Sequence, residues 1–379
     1  MKGIKARKIF NGSIFIHDAV IVWNNNRIVN IGNQSILSLY NIEKHNIILT
    51  PDIVVPGFVD IQVNGAGGAN FYGEGLTLET LTIMSQTLNK YGCTSFCPTL
   101  ITSSDKDINT ALDLINSISD LDNIGILGLH IEGPMFSQEH KGAHNPELIR
   151  VLSPELIDKI CKSKVKIVSL SPEVAPLEYI RRLTDAGIKV SIAHTNSTLD
   201  QVRIAESFGS TMGTHLYNGM SRFSSREPNV VGALLTSKKS FSSIIPDGIH
   251  SDFNSIIMAH KCLGERLITI TDGIVAMGTD MTTFKLGFQN VHINEKNHCI
   301  GDYGGLAGSM ITPIECLQNL VNYCEFSLEE ALISYTSAPA NSLGMEKSIG
   351  YLMPDNYADF LILDNDLNLK SIYVKGNLI

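Results

Sequence analysis

Four apolar, strand-like segments of the sequence each carry, near their carboxyl ends, a residue that can bind a metal ion or transfer a proton. Glu132 lies in GILGLHIEGP and His194 in KVSIAHT. His215 lies in GTHLYNGM and Asp272 in RLITITDG. Two imidazole nitrogens, one carboxylate oxygen and an open position match the ligand set of a catalytic zinc or a similar divalent ion. The four residues together predict a hydrolase that activates water on one divalent metal ion.

Asp272 is expected to act as the proton carrier, while Glu132, His194 and His215 are expected to bind the metal. A carboxylate opposite the metal can take a proton from water and later deliver it to a leaving amine. Zn²⁺ is the ion that this ligand set favours, with Fe²⁺ or another divalent ion as the alternative.

The first strand-like segment indicates how many metal ions the site holds. VDIQVNG ends on Gln62 and Asn64, and neutral amides are weak metal ligands. The segment VKIVSLSPE has no lysine at its end that could bridge two metals. Both features favour a site with a single metal, with Gln62 placed behind the ligands and not among them.

The middle of the chain alternates strand-like and helix-like segments. Eight strand candidates, from GFVDIQVNG to RLITITDG, occur over roughly 290 residues with helical patterns between most of them. This repeat predicts a TIM (β/α)8 barrel, in which polar residues at the carboxyl ends of the strands form the site. Both ends of the chain are rich in alternating, β-branched segments, which predicts a small β-sandwich domain from residues 1–53 and 346–379, with the barrel at 54–345.

A polar, glycine-rich insertion follows the eighth strand candidate, from residue 278 to about 305. It leads into GDYGGLAGSM, for which we predict a flexible loop that can close over the mouth of the barrel.

Composition excludes several classes of protein. The formal charge of −9 argues against a general nucleic-acid binder. No segment approaches the roughly 18 apolar residues that span a bilayer, so no membrane partner is expected. Seven cysteines without a CxxC pair favour reduced thiols in the cytoplasm.

Several loop residues could bind substrate. His144, in KGAHN, could polarise a carbonyl group. Arg226 in SREPN and His250 in DGIH could hold an anionic group, since arginine suits bidentate phosphate contact. Asn218 and Gly219 could supply hydrogen-bond donors, as could the LAGSM loop.

These motifs in their order resemble the amidohydrolase superfamily over nearly the whole chain. The matching segments include PGFVDIQVNGAGG, HIEGP, KGAHNPE, AHTN, THLYNGM, REPN, DGIH, ITDG, LAGS and GYLMPDNYADFLILD. The resemblance implies a homodimer and assigns the metal to Glu132, His194 and His215 and proton transfer to Asp272. It implies substrate contacts at Ala143, His144, Asn218, Gly219, Arg226, His250, Leu306, Ala307 and Gly308. Gly219 departs from the resembled pattern, which more often has alanine there.

The resemblance also implies a substrate class, a sugar phosphate carrying an N-acetyl group. We expect removal of the acetyl group from N-acetylglucosamine 6-phosphate in amino sugar catabolism. The galactosamine epimer or another N-acyl amine remains an alternative, because the metal chemistry would be the same. A catalytically silent barrel scaffold is disfavoured, since the three ligands and the proton carrier are all present.

Overall fold

The computed structural model describes residues 1–287, 289–302 and 304–379. The strands are β1 Lys2–Phe10, β2 Phe15–Asn24, β3 Arg27–Gly32, β4 Ile47–Pro56, β5 Phe58–Val63, β6 Gly65–Ala66, β7 Ala69–Asn70, β8 Cys93–Leu100, β9 Leu129–Glu132, β10 Val165–Leu170, β11 Lys189–Ile192, β12 Met212–Gly213, β13 Phe241–Ile244, β14 Leu267–Thr269, β15 Thr283–Leu286, β16 Gln289–Ile293, β17 Cys299–Gly301, β18 Phe360–Leu363, β19 Leu369–Val374 and β20 Asn377–Leu378. The helices are α1 Ser35–Leu39, α2 Leu78–Lys90, α3 Asp105–Ser117, α4 Pro154–Cys161, α5 Leu177–Asp185, α6 Leu199–Ser207, α7 Asn229–Thr236, α8 Phe253–Leu263, α9 Pro313–Tyr323, α10 Leu328–Tyr335 and α11 Ser337–Leu343.

Strands β5 and β8 to β14 form an eight-stranded sheet in the order β14-β13-β12-β11-β10-β9-β8-β5. Neighbouring strands from β8 to β14 pair in parallel. Helices α2 to α8 connect these strands along the chain. Every residue of β5 and β8 is buried, as expected where helices cover one face of a parallel sheet and side chains fill the other. The predicted TIM barrel is confirmed.

The two ends of this sheet meet at its carboxyl edge, which closes the barrel. Val63 and Gly273 form a parallel bridge there, and the N–H of Asn64 donates to the carbonyl oxygen of Gly273 at 2.7 Å. Close by, the carboxylate of Asp60 accepts hydrogen bonds from the N–H and the hydroxyl of Thr271, at 3.0 and 2.7 Å. A buried acid on the first strand thus holds the end of the eighth strand.

Both chain ends contribute to a second sheet, in the order β20-β19-β18-β4-β1-β2-β3. Strands β1 and β4 pair in parallel, and the other neighbours pair antiparallel. In its core, Trp23 packs edge-to-face on Phe360 at 5.3 Å between ring centroids, and Phe360 stacks on Tyr373 at 4.5 Å. These aromatic contacts join the two ends of the chain. The predicted small β domain built from both termini is confirmed.

The insertion after β14 is an ordered sheet, which the sequence-based expectation of a flexible loop did not include. Strands β15, β16 and β17 pair antiparallel in that order. Phe284, Leu286 and Val291 are buried in one cluster with Ile274 and Ala307. Alternate burial along β15 gives the sheet the apolar face that the cluster covers. Phe288 and Tyr303 lie outside the described residues. Closure of the GDYGGLAGSM loop over the mouth of the barrel stays a prediction.

By spatial proximity the chain divides into two compact units. One contains Met1–Val59, Leu88–Ser95 and Pro313–Ile379, and the other contains Asp60–Thr87 and Phe96–Thr312. This division cuts through β5 and β8, which belong to the same eight-stranded sheet. We therefore keep the predicted boundaries, 1–53 with 346–379 and 54–345, as our proposal for the domains.

Two properties of the described residues bear on the protein's environment. No helix within 1–287, 289–302 and 304–379 is long and apolar enough to cross a membrane. All seven cysteines lie in these ranges, and none of them forms a disulfide. Cys93 and Cys97 are buried in β8, where they pack as small apolar side chains.

Asp60→Ala is expected to lower the free energy of unfolding by about 2–3 kcal/mol, because Thr271 loses the acceptor of its buried N–H and hydroxyl. Urea unfolding followed by far-UV circular dichroism measures the change. Asp113→Ala is the control, since it removes an exposed partner of Lys159 and should cost less than about 1 kcal/mol. An Asp60→Ala protein as stable as this control would contradict the account of barrel closure.

Candidate metal centre and substrate pocket

The four residues singled out from the sequence lie at the carboxyl edge of the barrel. Glu132 is the last residue of β9, while His194, His215 and Asp272 follow β11, β12 and β14. Their exposed fractions are 3%, 7%, 4% and 9% in that order. Because the barrel strands are parallel, their carboxyl ends share one face, and residues far apart in sequence meet there.

Three of these residues adopt a left-handed backbone conformation. The φ angle is 45° at His194, 35° at His215 and 49° at Asp272. Outside glycine this conformation costs roughly 1–2 kcal/mol per residue, and it persists only where the surrounding structure enforces it. All three residues stand where the chain leaves a barrel strand, so the strain coincides with the turn that aims each side chain across the barrel mouth.

The side chains of Glu132, His194 and His215 converge on one point. Glu132 Oε1 lies 3.0 Å from His215 Nε2 and 3.6 Å from His194 Nε2. The two Nε2 atoms are 3.1 Å apart. One ligand atom from each of the three residues lies within 4.8 Å of the other two. Such a group of three donors can surround a single cation and leave further positions open.

Hydrogen bonds determine which ring nitrogen carries the proton in His194 and His144. His194 Nδ1 lies 2.8 Å from the carbonyl oxygen of His140. A carbonyl only accepts, so Nδ1 carries the proton and Nε2 keeps a lone pair. His144 Nδ1 accepts the N–H of Thr102 at 3.3 Å. Its proton is therefore on Nε2, which lies 3.2 Å from His194 Nε2.

The protonation behaviour of the three converging residues fits a cation. Burial opposes ionisation of Glu132, but hydrogen bonds with His194 and His215 outweigh it and hold its pKa well below the usual value. Burial lowers the pKa of His194. For His215, burial opposes the charged form, but the hydrogen bond to Glu132 and the charges of Glu132 and Asp272 together outweigh burial and raise the pKa. Its Nδ1 is buried with no hydrogen-bond partner among the described residues. An ionised carboxylate beside a neutral imidazole lone pair is a suitable donor set for a divalent ion.

Asp272 lies beside this group and is held by two side-chain amides. Its Oδ1 accepts from Asn64 Nδ2 at 2.7 Å and from Gln62 Nε2 at 3.0 Å. Gln62 Nε2 also lies 3.1 Å from Glu132 Oε1, so this amide contacts both carboxylates. Burial, together with the charge of Glu132, raises the pKa of Asp272 to about 7. The roles of Gln62 and Asp272 remain predictions, but the two side chains are in contact.

A cavity of about 400 Å³ opens beside these side chains. Seven of the predicted substrate contacts line it: Ala143, His144, Asn218, Gly219, His250, Leu306 and Gly308. Ala307 is buried outside this lining, and its N–H already donates to the carbonyl oxygen of Cys299 at 3.0 Å. Arg226 is exposed and also lies outside the lining.

Among the lining residues that the sequence analysis did not single out, two have polar side chains, Lys141 and Gln289. Lys141 stands in the same loop as His144, and its positive charge contributes to the low pKa of His144, about 3, after the larger effects of burial and His194. Gln289 Nε2 donates to the carbonyl oxygen of Ala143 at 2.8 Å. Lys141 is the lysine of the KGAHN motif itself and could have been singled out there, whereas nothing in the polar insertion distinguishes Gln289.

Gly219 allows the ring of His194 to lie where it does. Its φ angle is 59°, a conformation that favours glycine. A Cβ atom at this position would lie 2.5 Å from His194 Nδ1. In this chain the imidazole therefore occupies the space that an alanine methyl group would need.

The barrel and the strand-end residues are those of an amidohydrolase. The model of the amidohydrolase family matches residues 53–379, and the chain belongs to this family. The chain is 35% identical to N-acetylglucosamine-6-phosphate deacetylase of Haemophilus influenzae, over 84% of each protein. It is 31% identical to N-acetylgalactosamine-6-phosphate deacetylase of a Shewanella species, over 99% of this chain and 94% of that protein. The crystal structure of N-acetylglucosamine-6-phosphate deacetylase from Pasteurella multocida matches with a TM-score of 0.93 and 31% identity, covering 100% of this chain and 99% of the other.

Binding of Zn²⁺ to the metal-free protein at pH 7 is expected to release protons. The raised pKa values of His215 and Asp272 keep protons on these groups, and a neighbouring cation displaces them. With a pKa of about 7, a larger fraction of Asp272 is protonated at pH 6 than at pH 8. The number of protons released on Zn²⁺ binding should therefore fall as the pH rises. Calorimetry in two buffers of different ionisation enthalpy measures the number of protons. A binding enthalpy that is independent of the buffer would contradict this prediction.

Proposed function

We propose that the protein hydrolyses N-acetylglucosamine 6-phosphate to glucosamine 6-phosphate and acetate, in amino sugar catabolism. The main support for the proposal is that the buried side chains of Glu132, His194 and His215 converge beside Asp272. The adjoining cavity of about 400 Å³ has the size of a small-molecule site. Relatives named for this activity are similar over most of the chain. Deacetylation of the galactosamine epimer is the second candidate, since a relative named for it is 31% identical.

Glu132, His194 and His215 would hold one divalent ion, for which we propose Zn²⁺. When bound, the ion would polarise the acetamido carbonyl and lower the pKa of a water molecule. Asp272 would take the proton of the attacking water. Both amide donors bind its Oδ1, which leaves Oδ2 without a hydrogen bond in the described part of the chain. Asp272 would then return the proton to the amine nitrogen, so that acetate gains the hydroxyl and glucosamine gains the hydrogen.

His144 is suited to donate a hydrogen bond to the acetamido oxygen. Its low pKa, about 3, keeps the ring neutral at pH 7, and its proton is on Nε2, beside His194. When the lone pair of His194 Nε2 binds a cation, the N–H of His144 Nε2 is free to donate to the substrate. A donor already oriented toward the oxygen stabilises the negative charge that develops there during attack.

The phosphate would bind at the other end of the cavity. His250 lines the cavity, and its Nδ1 lies 2.6 Å from Asp247 Oδ2. Nδ1 therefore donates to the carboxylate, and a ring protonated on both nitrogens would have its Nε2–H left to donate to the phosphate. Burial opposes ionisation of Asp247, but the hydrogen bond and charge of His250 and the backbone N–H donors together outweigh burial and lower the pKa of Asp247. Lys141 lines the same cavity. We propose that His250 and Lys141 bind the phosphate, because two basic groups in a largely enclosed site favour an anion.

We further propose that two copies of the chain associate. A second, mostly apolar cavity of about 520 Å³ lies beside α7 and α8. It is lined in part by Phe223 and Met258, which are 58% and 52% exposed. Exposed apolar surface of this kind is typical of subunit interfaces. Arg226 is exposed near Phe223. We therefore propose that Arg226 contacts the phosphate bound in the cavity of the neighbouring subunit.

We also propose a cytoplasmic location. Seven cysteines without a disulfide are typical of a reducing compartment.

Asp272→Asn is expected to lower kcat by about 10²–10⁴-fold, because the amide cannot accept and return the proton. The bound metal should stay near one ion per chain, since Asp272 is not one of the three ligands. Amine release from the gluco and galacto 6-phosphates, measured on metal-replete protein, checks activity and epimer preference together. Near-normal turnover by Asp272→Asn would contradict the assignment, and absence of activity on both epimers would contradict the proposed function.

Lys141→Met is expected to raise KM for N-acetylglucosamine 6-phosphate about tenfold or more, which corresponds to losing one charged contact. Hydrolysis of unphosphorylated N-acetylglucosamine should change much less, because that substrate has no phosphate for the charge to bind and the effect of Lys141 on His144 comes after those of burial and His194. Lys106→Met is the matched control, since Lys106 is an exposed lysine of α3. An equal loss on both substrates would contradict a phosphate contact by Lys141.

A further inference from the structure

The loop that follows β10 carries a glutamate, Glu173, for which nothing above assigns a role. Its carboxylate is half-buried and accepts hydrogen bonds from three consecutive residues of the loop after β11. Oε2 accepts the hydroxyls of Thr195 and Ser197, at 2.6 and 2.5 Å. Oε1 accepts the N–H of Asn196 at 2.6 Å. The carboxylate of Glu173 thus holds the whole segment that follows His194.

His194 needs such an anchor because its backbone is strained. Its φ angle is 45°, and a non-glycine residue keeps this conformation only where its neighbours enforce it. Its carbonyl oxygen accepts the hydroxyl of Ser171 at 2.7 Å and the N–H of Ser137 at 2.9 Å. On the other side, the N–H of Thr195 donates to Gly219 at 2.9 Å. The hydrogen bonds of Glu173 complete this set at the residues directly after the histidine.

We propose that Glu173 is a positioning residue that keeps His194 in the orientation required for metal binding. The inference rests on the proposed metal site. Strand β10 lies between the two strands that carry Glu132 and His194, and in this chain it contributes an anchor where its neighbours contribute ligands. Residues that orient a metal-bound histidine typically change metal affinity 10–100-fold when they are removed.

The test is Zn²⁺ affinity of the full-length protein, measured by competition with a chromophoric chelator. Glu173→Ala is expected to raise the Kd 10–100-fold. Glu173→Gln keeps one carbonyl oxygen for the N–H of Asn196, and its amide can donate to the two hydroxyls, so it should fall between Ala and wild type. Glu139→Ala is the matched control, because Glu139 contacts only the exposed side chain of Asn196 in the same loop, at 3.0 Å. Its Kd should stay within twofold of wild type.

Further readouts separate positioning from a purely structural role. The absorption spectrum of the Co²⁺-substituted protein should change in Glu173→Ala and remain unaltered in Glu139→Ala. If Glu173→Ala does not fold, Thr195→Val removes one donor of the same anchor and should raise the Kd three- to tenfold. A Kd within twofold of wild type in the folded variants would overturn the proposal. So would a lower unfolding temperature of the metal-free protein with unchanged metal affinity. A wild type that binds Zn²⁺ but hydrolyses neither epimer would overturn the proposed function alone.

Discussion

The meeting of Glu132 Oε1, His194 Nε2 and His215 Nε2 in a buried site is the interaction on which the rest of the pocket depends. A buried carboxylate is costly unless it is paired with positive charge or hydrogen bonds. In the described structure Glu132 is compensated by His215 and by the amide of Gln62. A divalent cation would compensate it more fully and would use the lone pair of His194. Burial, together with the same negative charge, raises the pKa of Asp272 to about 7, so the proposed metal ligands and the proposed proton carrier are electrostatically linked.

This meeting requires both the barrel and its irregular strand ends. Parallel strands place the residues on one face, but a regular strand end would not aim them at a common point. The left-handed backbone at His194, His215 and Asp272 provides the change of direction. Its cost is offset by hydrogen bonds between successive loops, such as those from Ser171 and Ser137 to the carbonyl oxygen of His194. The loops at the carboxyl ends of the strands therefore stabilise one another.

Two groups of residues with different chemical properties line the cavity. Near the proposed metal ligands, burial keeps His144 neutral and makes Asp272 a weaker acid than usual. Two groups whose pKa values are displaced in this way can serve as hydrogen-bond donor and as proton acceptor at neutral pH. In the same cavity His250 is paired with Asp247, and Lys141 is a second basic residue of the lining, which suits a phosphate. A substrate whose phosphate is held by these basic groups would have its amide bond positioned beside Glu132, His194 and His215.

The sequence by itself determined the barrel, the β domain from both termini and the four strand-end residues. It could do so because apolar runs of strand length that lead into ionisable residues are local patterns. Only the tertiary structure decided that Arg226 and Ala307 lie outside the cavity lining, that Lys141 and Gln289 lie in it, and that the polar insertion is a sheet. It also decided the tautomers of His144 and His194 and the anchoring by Glu173. These properties depend on contacts between loops that are distant in sequence, and burial, protonation and hydrogen-bond partners arise only once such loops are brought together.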